Sequence, residues 1–396
     1  MNVTDSVRAG RYTRQPTGYR AFIPQLLPPT PSVRMDDRLW MLLSSADRAL
    51  GRLDGSTEAL PNPDLFVYMY VHKEAVLSSQ IEGTQASLID VLEFEAQAAE
   101  PDQPQDVPEV VNYVAAMNYG LERLSTLPLS LRLLREIHKE LLHVRGGERT
   151  PGEFRQIQNW IGPPGAALAS ARFVPPPPHE MHNALDNFER FLHDPAPMPD
   201  LLKVGIAHAQ FETIHPFLDG NGRVGRLLIT FLLYERGVLR RPLLYLSHYF
   251  RLHQTEYYDR LQSVRDAGDW EGWLRFFLDG VAHVANEATE TARRIVNLRE
   301  RDRELVRQTL GPRTSRGLAL LEQLYQRPII TVSMAQQLVD LSFANTNSLV
   351  NKLVDIQLLR EMTGQRRNRR YVYDSYMALF LDDESESSGA EETPLA

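Results

Sequence analysis

Apolar residues recur at intervals of three and four along most of this chain, the spacing of one helical face. The periodicity begins near Met35 and runs to Leu53. It resumes at Asp64–Ser79, Ser87–Ala99, Val107–Leu124, Ser130–Val144, His179–His193 and Pro199–Thr213. After a break it returns at Arg223–Arg236, Ser247–Arg265 and a long run from Asp269 to about Thr309. Each of these predicts a helix. Punctuation between them is clear. Gly83 is placed to stop the second helix. Leu60-Pro61-Asn62-Pro63 is a turn, and Glu100 to Asp106 is a polar linker. The first 35 residues carry Pro16, Pro24, Pro28, Pro29 and Pro31 and read as an extended arm. Gly146 to Pro178 is rich in Gly, Pro and Ala. A loop of that length in a compact domain is expected to be functional or mobile.

Gly311-Pro312 ends the long helical run. Beyond it, Leu318, Leu320, Leu321 and Leu324 predict one helix, and Val332–Val339 and Asn345–Val354 two more. Arg360–Tyr373 then alternates like a strand pair around Gly364. That order is the order of a winged helix-turn-helix. The tail, 382–396, is acidic and Ser-rich and reads as disordered.

Composition narrows the class. The chain has 396 residues, a net charge of −8, 43% apolar and 24% charged residues, the balance of a water-soluble protein of two or three domains. No global basic field draws it to nucleic acid or to a membrane. It has no cysteine, which excludes disulfides, thiol catalysis and cysteine–zinc sites. No apolar run reaches the ~18–20 residues of a membrane span, and Met1 to Gln15 lacks the apolar core of a signal peptide. The expected location is cytoplasmic, with no membrane contact.

The chemistry concentrates between the helices at 199–213 and 223–236. There the sequence reads His215, Pro216, Phe217, Leu218, Asp219, Gly220, Asn221, Gly222, Arg223, Val224, Gly225 and Arg226. His215 is a base with an ordinary pKa near ~6.5. Pro216 pushes its backbone out of the α region. Asp219 is the sole carboxylate of the loop, and one carboxylate plus phosphate oxygens is a usual magnesium arrangement. The competing reading of Asp219 is a turn residue before Gly220. Phe217 is expected to point inward. Gly220, Asn221 and Gly222 let backbone N–H groups approach an anion, at the start of a helix whose dipole favours phosphate. Arg223 and Arg226, three apart, share a face and suit oxyanions.

The pattern H-P-F-x-D-G-N-G-R-x-x-R resembles the signature of the Fic family without a departure. The resemblance covers about residues 35–300 and implies a mainly α fold with a short β-hairpin flap. It implies a nucleotidyltransferase that moves AMP from ATP to a hydroxyl of a target protein, with Mg2+ on Asp219. His215 would be the base, and the motif residues from His215 to Arg226 would hold the nucleotide, with Arg226 on the γ-phosphate. Arg172, Phe173, Val174 and Pro175 look like the family's flap, which pairs with the target's backbone. Gln158 to Gly162 also matches related proteins. Tyr257, Tyr258 and Leu252 are candidates for the adenine and ribose pocket, core packing being the competing reading. Gln210 and Glu212 are candidates for supporting positions.

Ser78-Ser79-Gln80-Ile81-Glu82-Gly83 resembles the family's inhibitory helix. The implied residues are Ser78, Glu82 and Gly83, with Glu82 reaching Arg226 in place of the γ-phosphate. In some members this glutamate also supports removal of AMP. The expected division is therefore 1–106 arm and inhibitory extension, 107–310 catalytic domain, 311–381 winged-helix-like module and 382–396 tail. A homodimer is among the arrangements the resemblance allows. The alternatives are transfer of another phosphate-containing group on the same fold, or a DNA-binding regulator with a Fic sensor domain. For the latter, Arg366, Arg367, Arg369 and Arg370 would meet phosphates, and Asn345, Thr346, Asn347, Asn351 and Lys352 would line the recognition helix.

Overall fold

A computed structural model describes residues 8–58, 63–96, 104–143, 150–162 and 167–388. The chain opens on an antiparallel hairpin, β1 (Gly10–Arg14) and β2 (Arg20–Pro24), in which Tyr12 faces Phe22. Five helices follow: α1 (Asp37–Glu58), α2 (Asp64–Ile81), α3 (Leu88–Glu95), α4 (Val107–Arg123) and α5 (Leu131–Leu141). Next come α6 (Pro178–His193), α7 (Asp200–Ile214), α8 (Asn221–Glu235), α9 (Ser247–Leu252), α10 (Gln254–Ala267) and α11 (Trp270–Thr309). The C-terminal part is α12 (Thr314–Leu324), β3 (Ile329–Thr331), α13 (Val332–Val339), α14 (Phe343–Asp355), β4 (Arg360–Glu361), β5 (Arg370–Val372) and α15 (Asp374–Ser388). Its three strands are ordered β3-β5-β4, all antiparallel.

Two helices occupy the centre because their sequences leave no polar face. In α7 every residue after Asp200 is buried, and most of α8 is buried as well. A helix that is apolar all round must be surrounded. Around the pair stand α4, α5, α6, α10 and α11. Glycines allow the closest approaches. A Cβ on Gly205 would stand 2.8 Å from Leu274, and one on Gly120 2.3 Å from Phe231. Trp273 donates its indole N–H to the Gly205 carbonyl (2.8 Å), which fixes α11 against α7. The loop from His215 to Gly220 thus springs from the two best-buried helices of the molecule. That gives it a rigid base.

Several sequence expectations are corrected. The proline-rich arm contains a hairpin, whose turn is closed by Gln15 N–H to the Tyr19 carbonyl and by Gly18 at φ 96°. The single helix expected at 247–265 is broken at His253, and the turn lets Phe250 stack on Tyr257. Helix α15 runs to Ser388, so the expected disorder does not begin at 382. The turn at 60–62, the linker residues 100–103 and the tail beyond 388 lie outside the described residues. In the C-terminal part, Arg370 is buried in an ion pair with Glu93 of α3 (3.3 Å), and Thr346 is buried on the Ser342 carbonyl. Neither is placed to meet a nucleic acid. Arg369 donates to Asn347 (3.3 Å), while Arg366 and Arg367 stay exposed.

The C-terminal part is anchored on the N-terminal helices as well as on α11. Phe380 of α15 meets Tyr70 of α2 edge to face at 5.6 Å, and the Tyr373 hydroxyl donates to Asp302 of α11 (2.5 Å). Replacing buried Phe380 with Ala removes that contact and leaves a cavity. The expected cost is ~3–5 kcal/mol. Urea unfolding should shift to lower denaturant, and an unchanged midpoint would show that α15 does not hold the halves together.

Candidate active site

The site grows from the end of α7. Its last hydrogen bond runs from His215 N–H to the Phe211 carbonyl, and His215 then turns left-handed (φ 49°, ψ 61°). Pro216 excludes the right-handed helix at this position, and the left-handed turn is a strained alternative for a residue with a Cβ. Such a conformation persists where the surroundings over-determine it. Here Arg155 does so. It is 1% exposed. Its Nε donates to the His215 carbonyl (2.9 Å), and Nη2 donates to the carbonyls of Ile214 (3.3 Å) and Pro176 (2.5 Å). Its own backbone N–H reaches the Pro216 carbonyl (2.9 Å). One buried guanidinium therefore joins the histidine's backbone to the segment at 173–176.

The next residues are fixed in turn. Phe217 is buried and stacks on His138 at 3.8 Å, as an inward anchor. Gly152 N–H donates to His138 Nδ1 (2.9 Å), so the ring's proton sits on Nε2, which donates to the Asp219 carbonyl (3.1 Å). Asn221 was expected in the anion cradle. Its side chain is spent on the loop instead: Oδ1 accepts from Phe217 N–H and Nδ2 donates to the Phe217 carbonyl, both at 2.8 Å. Gly220 takes φ 75°, and its N–H donates to Asp219 Oδ1 (2.7 Å). The turn reading and the ligand reading of Asp219 are thus compatible, since one oxygen holds the turn and the carboxylate stays 35% exposed.

Arg226 lies within α8, 2% exposed, and three groups of α2 hold it. Nε donates to Ser78 Oγ (2.8 Å), while Nη2 donates to the Ser78 carbonyl (2.9 Å) and to Glu82 Oε1 (2.7 Å). Glu82 caps α2, and Gly83 turns left-handed behind it (φ 98°). Gly222 supplies the room, because a Cβ there would stand 2.2 Å from Glu82 Oε1. Glu74, buried one helical turn before Ser78, accepts from Ser247 N–H (3.1 Å), Ser247 Oγ (2.5 Å) and Tyr113 (3.2 Å). Burial pushes its carboxyl up to about 7, against the pull of Ser247 and Arg226. Arg223, 4% exposed, pairs with Glu109 of α4 (3.2 Å) and lies 3.8 Å from Asp219. A cavity of about 220 Å³ opens between these groups, lined by Glu82, Gly83, Thr84, Asp106, Glu109, Asp219, Gly220 and Arg223.

The segment read as a flap is tied down on both sides at 173–174. Phe173 and Ile161 exchange both backbone hydrogen bonds, and the Val174 carbonyl accepts from Phe22 N–H of β2. The described hairpin is a single antiparallel bridge, and strand addition at Val174 is filled by the chain itself. Phe173 is buried beneath Arg265, whose guanidinium lies 3.8 Å from the ring centroid. Arg265 also donates to Thr213 Oγ1 and to the Glu212 carbonyl, both at 3.2 Å. Arg172 pairs with Asp259 at the surface (2.7 Å), and the Pro175 carbonyl accepts from Gln158 (3.0 Å).

The adenine candidates separate. Tyr257 is core, 1% exposed, and its hydroxyl meets His208 Nε2 (2.9 Å). Leu252 is 45% exposed at the end of α9. Tyr258 is half-buried near the charges of Glu82 and Arg226, and its hydroxyl is pushed up to about 12, mainly by burial. Gln210 does not support the loop, since it donates to the Gln25 carbonyl beyond β2 (3.1 Å). Glu212 is buried against Gly225 and pushed up to about 7 by burial. The residues that sequence reasoning missed are Arg155, Arg265, His138, Glu74 and Glu109. Arg155 and Arg265 carried a signal only as charges beside apolar runs.

Chemically, the site sets an imidazole in the same segment as two guanidinium groups that hold carboxylates. Burial first, then the charges of Arg155 and Arg265, push His215 down to about 3. An imidazole so placed stays neutral at physiological pH and can accept a proton. Among the described residues no group of three or more His, Asp or Glu side chains could hold a metal ion. Asp219 offers one partly exposed carboxylate, and a cation there would need phosphate oxygens to complete its ligands. No described helix is long and apolar enough to cross a membrane.

Comparison with known proteins agrees with this geometry. Residues 40–122 match the Fic/DOC family N-terminal domain, and 128–233 match the Fic/DOC family. Protein adenylyltransferase Fic of Culex quinquefasciatus is 33% identical over 176 residues, 43% of this chain and 32% of its own length. A probable protein adenylyltransferase of Aquifex aeolicus is 32% identical over 180 residues, 44% of this chain and 51% of its own. The chain thus spans about a third to a half of the length of these curated relatives. A Fic family protein from Desulfovibrio desulfuricans G20 has the same fold, with a TM-score of 0.56 and 18% identity over 86% of this chain and 97% of its own.

The protonation state of His215 can be measured directly. Its ring should remain neutral from pH 8 down to pH 5 in an NMR titration of the imidazole nuclei. A protonation step near pH 6.5 would show a solvated ring and remove the argument from burial.

Proposed function

We propose that this chain, whose residues 40–122 match the Fic/DOC family N-terminal domain and 128–233 the Fic/DOC family, is a protein adenylyltransferase restrained by Glu82. One observation carries the reading: a neutral, fixed histidine opens a loop whose following helix carries two buried arginines, each held by a carboxylate, and Arg223 lines a cavity of about 220 Å³ beside them. In the proposed reaction, a hydroxyl oxygen of a target protein attacks the α-phosphorus of ATP. The bond from that phosphorus to the bridging oxygen breaks, pyrophosphate leaves, and the hydroxyl proton passes to His215. Arg223 and Arg226 hold the departing phosphates, and the N–H groups at the start of α8 add their dipoles. Asp219 would hold Mg2+ together with phosphate oxygens, and the ion would neutralise charge on the leaving group.

The brake is an exchange of anions. Glu82 occupies the guanidinium that a γ-phosphate needs, and the cavity of about 220 Å³ is below the ~300–1,000 Å³ usual for small-molecule sites. A nucleotide must displace the carboxylate to seat its third phosphate. In this proposal the same carboxylate also activates water for removal of AMP. Transfer of another phosphate-containing group is the rival, and the mass added to the acceptor separates the two. No observation favours the DNA-binding reading over these, because Arg370 and Thr346 are spent internally.

Glu82→Gly should raise AMP incorporation from labelled ATP into the protein itself or into lysate proteins. A charge-assisted pair is worth ~1.5–3 kcal/mol, and Glu82 is 37% exposed, so the lower end applies and about 10-fold is expected. Equal incorporation by wild type and variant across ATP concentrations would remove the brake. In the Glu82→Gly background, His215→Ala should lower transfer by ~10²–10⁴-fold while nucleotide binding persists. Retained transfer would exclude His215 as the base.

A further inference from the structure

We infer that the first turn of α4 is a second part of this brake: Glu109 masks Arg223, and Asp106 pins the segment that follows Glu82. The inference rests on the reading of Arg223 and Arg226 as phosphate ligands.

The cavity beside the catalytic loop is lined by four carboxylates, those of Glu82, Asp106, Glu109 and Asp219, against the single arginine Arg223. A polyphosphate entering it meets like charge on most sides, and like charges at short range repel strongly where water is scarce. Asp219 and Glu82 have roles in the proposed reaction. Asp106 and Glu109 do not, and both belong to the start of α4.

Acidic residues are common at helix starts, where they cap free N–H groups or meet the helix dipole. That does not account for these two. Asp106 occupies the position before α4 yet makes no capping hydrogen bond. Its Oδ2 instead accepts from Gln85 N–H at 2.5 Å, and its buried Oδ1 has no hydrogen-bond partner among the described residues. Gln85 in turn donates its side-chain amide to the Gly83 carbonyl (3.1 Å). Asp106 thus holds the chain immediately behind Glu82 and keeps that carboxylate on Arg226. Glu109, three residues on and on the same helical face, accepts from Arg223 Nη1 at 3.2 Å. The two side chains are 11% and 4% exposed, so the pair is largely shielded from water.

Each of the two arginines therefore faces a carboxylate from another helix: Arg226 faces Glu82 at the end of α2, and Arg223 faces Glu109 in the first turn of α4. The two carboxylates act differently. Asp106 works through Glu82, so its effect vanishes once Glu82 is gone. Glu109 works on Arg223 and persists without Glu82. A role for Glu109 in orienting Arg223 toward phosphate would have the opposite sign.

The test measures binding of a non-hydrolysable ATP analogue with magnesium by calorimetry, on the full chain. The proteins are wild type, Glu82→Gly, Glu109→Gln, Glu109→Ala, Asp106→Ala and the three double variants of the last three with Glu82→Gly. Glu109→Gln keeps size and hydrogen bonding while removing the charge, and Glu109→Ala is the second variant. In the Glu82→Gly background, either change at Glu109 should tighten binding by roughly 3- to 30-fold. Asp106→Ala should tighten binding in wild type and add nothing beyond Glu82→Gly. Unchanged or weaker binding on changing Glu109 would overturn its masking role, and an Asp106 effect that survives Glu82→Gly would overturn the pin. If Glu82→Gly binds the analogue and transfers AMP while Glu109→Gln adds nothing, the proposed function stands and this inference falls. If no variant binds the analogue, the phosphate site is misassigned and both fall.

Discussion

A buried guanidinium must be neutralised, and the neutralisation of Arg226 organises the centre of this protein. Its charge cannot leave, because arginine keeps its proton at any physiological pH. Its environment therefore had to be built around it. Ser78 and Glu82 take its N–H groups, and its charge also acts on the Glu74 carboxyl, which burial pushes up to about 7. Because α2 supplies all three, its position against α8 follows from the arginine. Gly222 gives the carboxylate its space, and Gly225 leaves room for the Glu212 side chain. Replacing that carboxylate by a phosphate would keep the charge balance while changing which molecule provides it.

His215 depends on a second buried arginine. Arg155 ties the left-handed turn at His215 to Pro176, and Arg265 holds Phe173 beneath its guanidinium while reaching the end of α7. Their charges have a second effect, because both disfavour protonation of His215. Positioning and protonation state therefore come from the same residues. Val174 is also bonded to β2, which gives the N-terminal hairpin a place beside the loop.

The helix that carries Glu82 is gripped along its whole length by parts distant in sequence. At its start Tyr68 donates to Glu95, and His72 lies 3.0 Å from the same carboxylate. Tyr70 meets Phe380 of α15 and donates to the Ala288 carbonyl of α11 (2.9 Å). Arg370 pairs with Glu93 on the adjoining α3. A movement of the C-terminal part would therefore be felt by α2 through packed side chains. The C-terminal part and the N-terminal extension form one mechanical unit around the loop.

The sequence by itself determined the helical class, most helix positions and the loop chemistry. Those are local properties. Helical periodicity needs only a few turns of chain, and twelve consecutive residues from His215 to Arg226 hold base, carboxylate and guanidinium groups together. The pairing of Glu82 with Arg226 was legible through resemblance, and the structure brings them to 2.7 Å. The tertiary structure decided the rest. Asn221 looked like an anion ligand until its amide was found closing on Phe217. Tyr257 looked like a pocket wall until the break at His253 folded it into the aromatic core. Arg370 looked like a phosphate contact until Glu93 was found beside it. Arg155 showed only as a charge beside apolar residues, because the carbonyls through which it holds the loop lie 21 to 60 residues away. A side chain's type is written in the sequence. Whether it faces solvent, ligand or another element depends on long-range packing, and no local pattern encodes that.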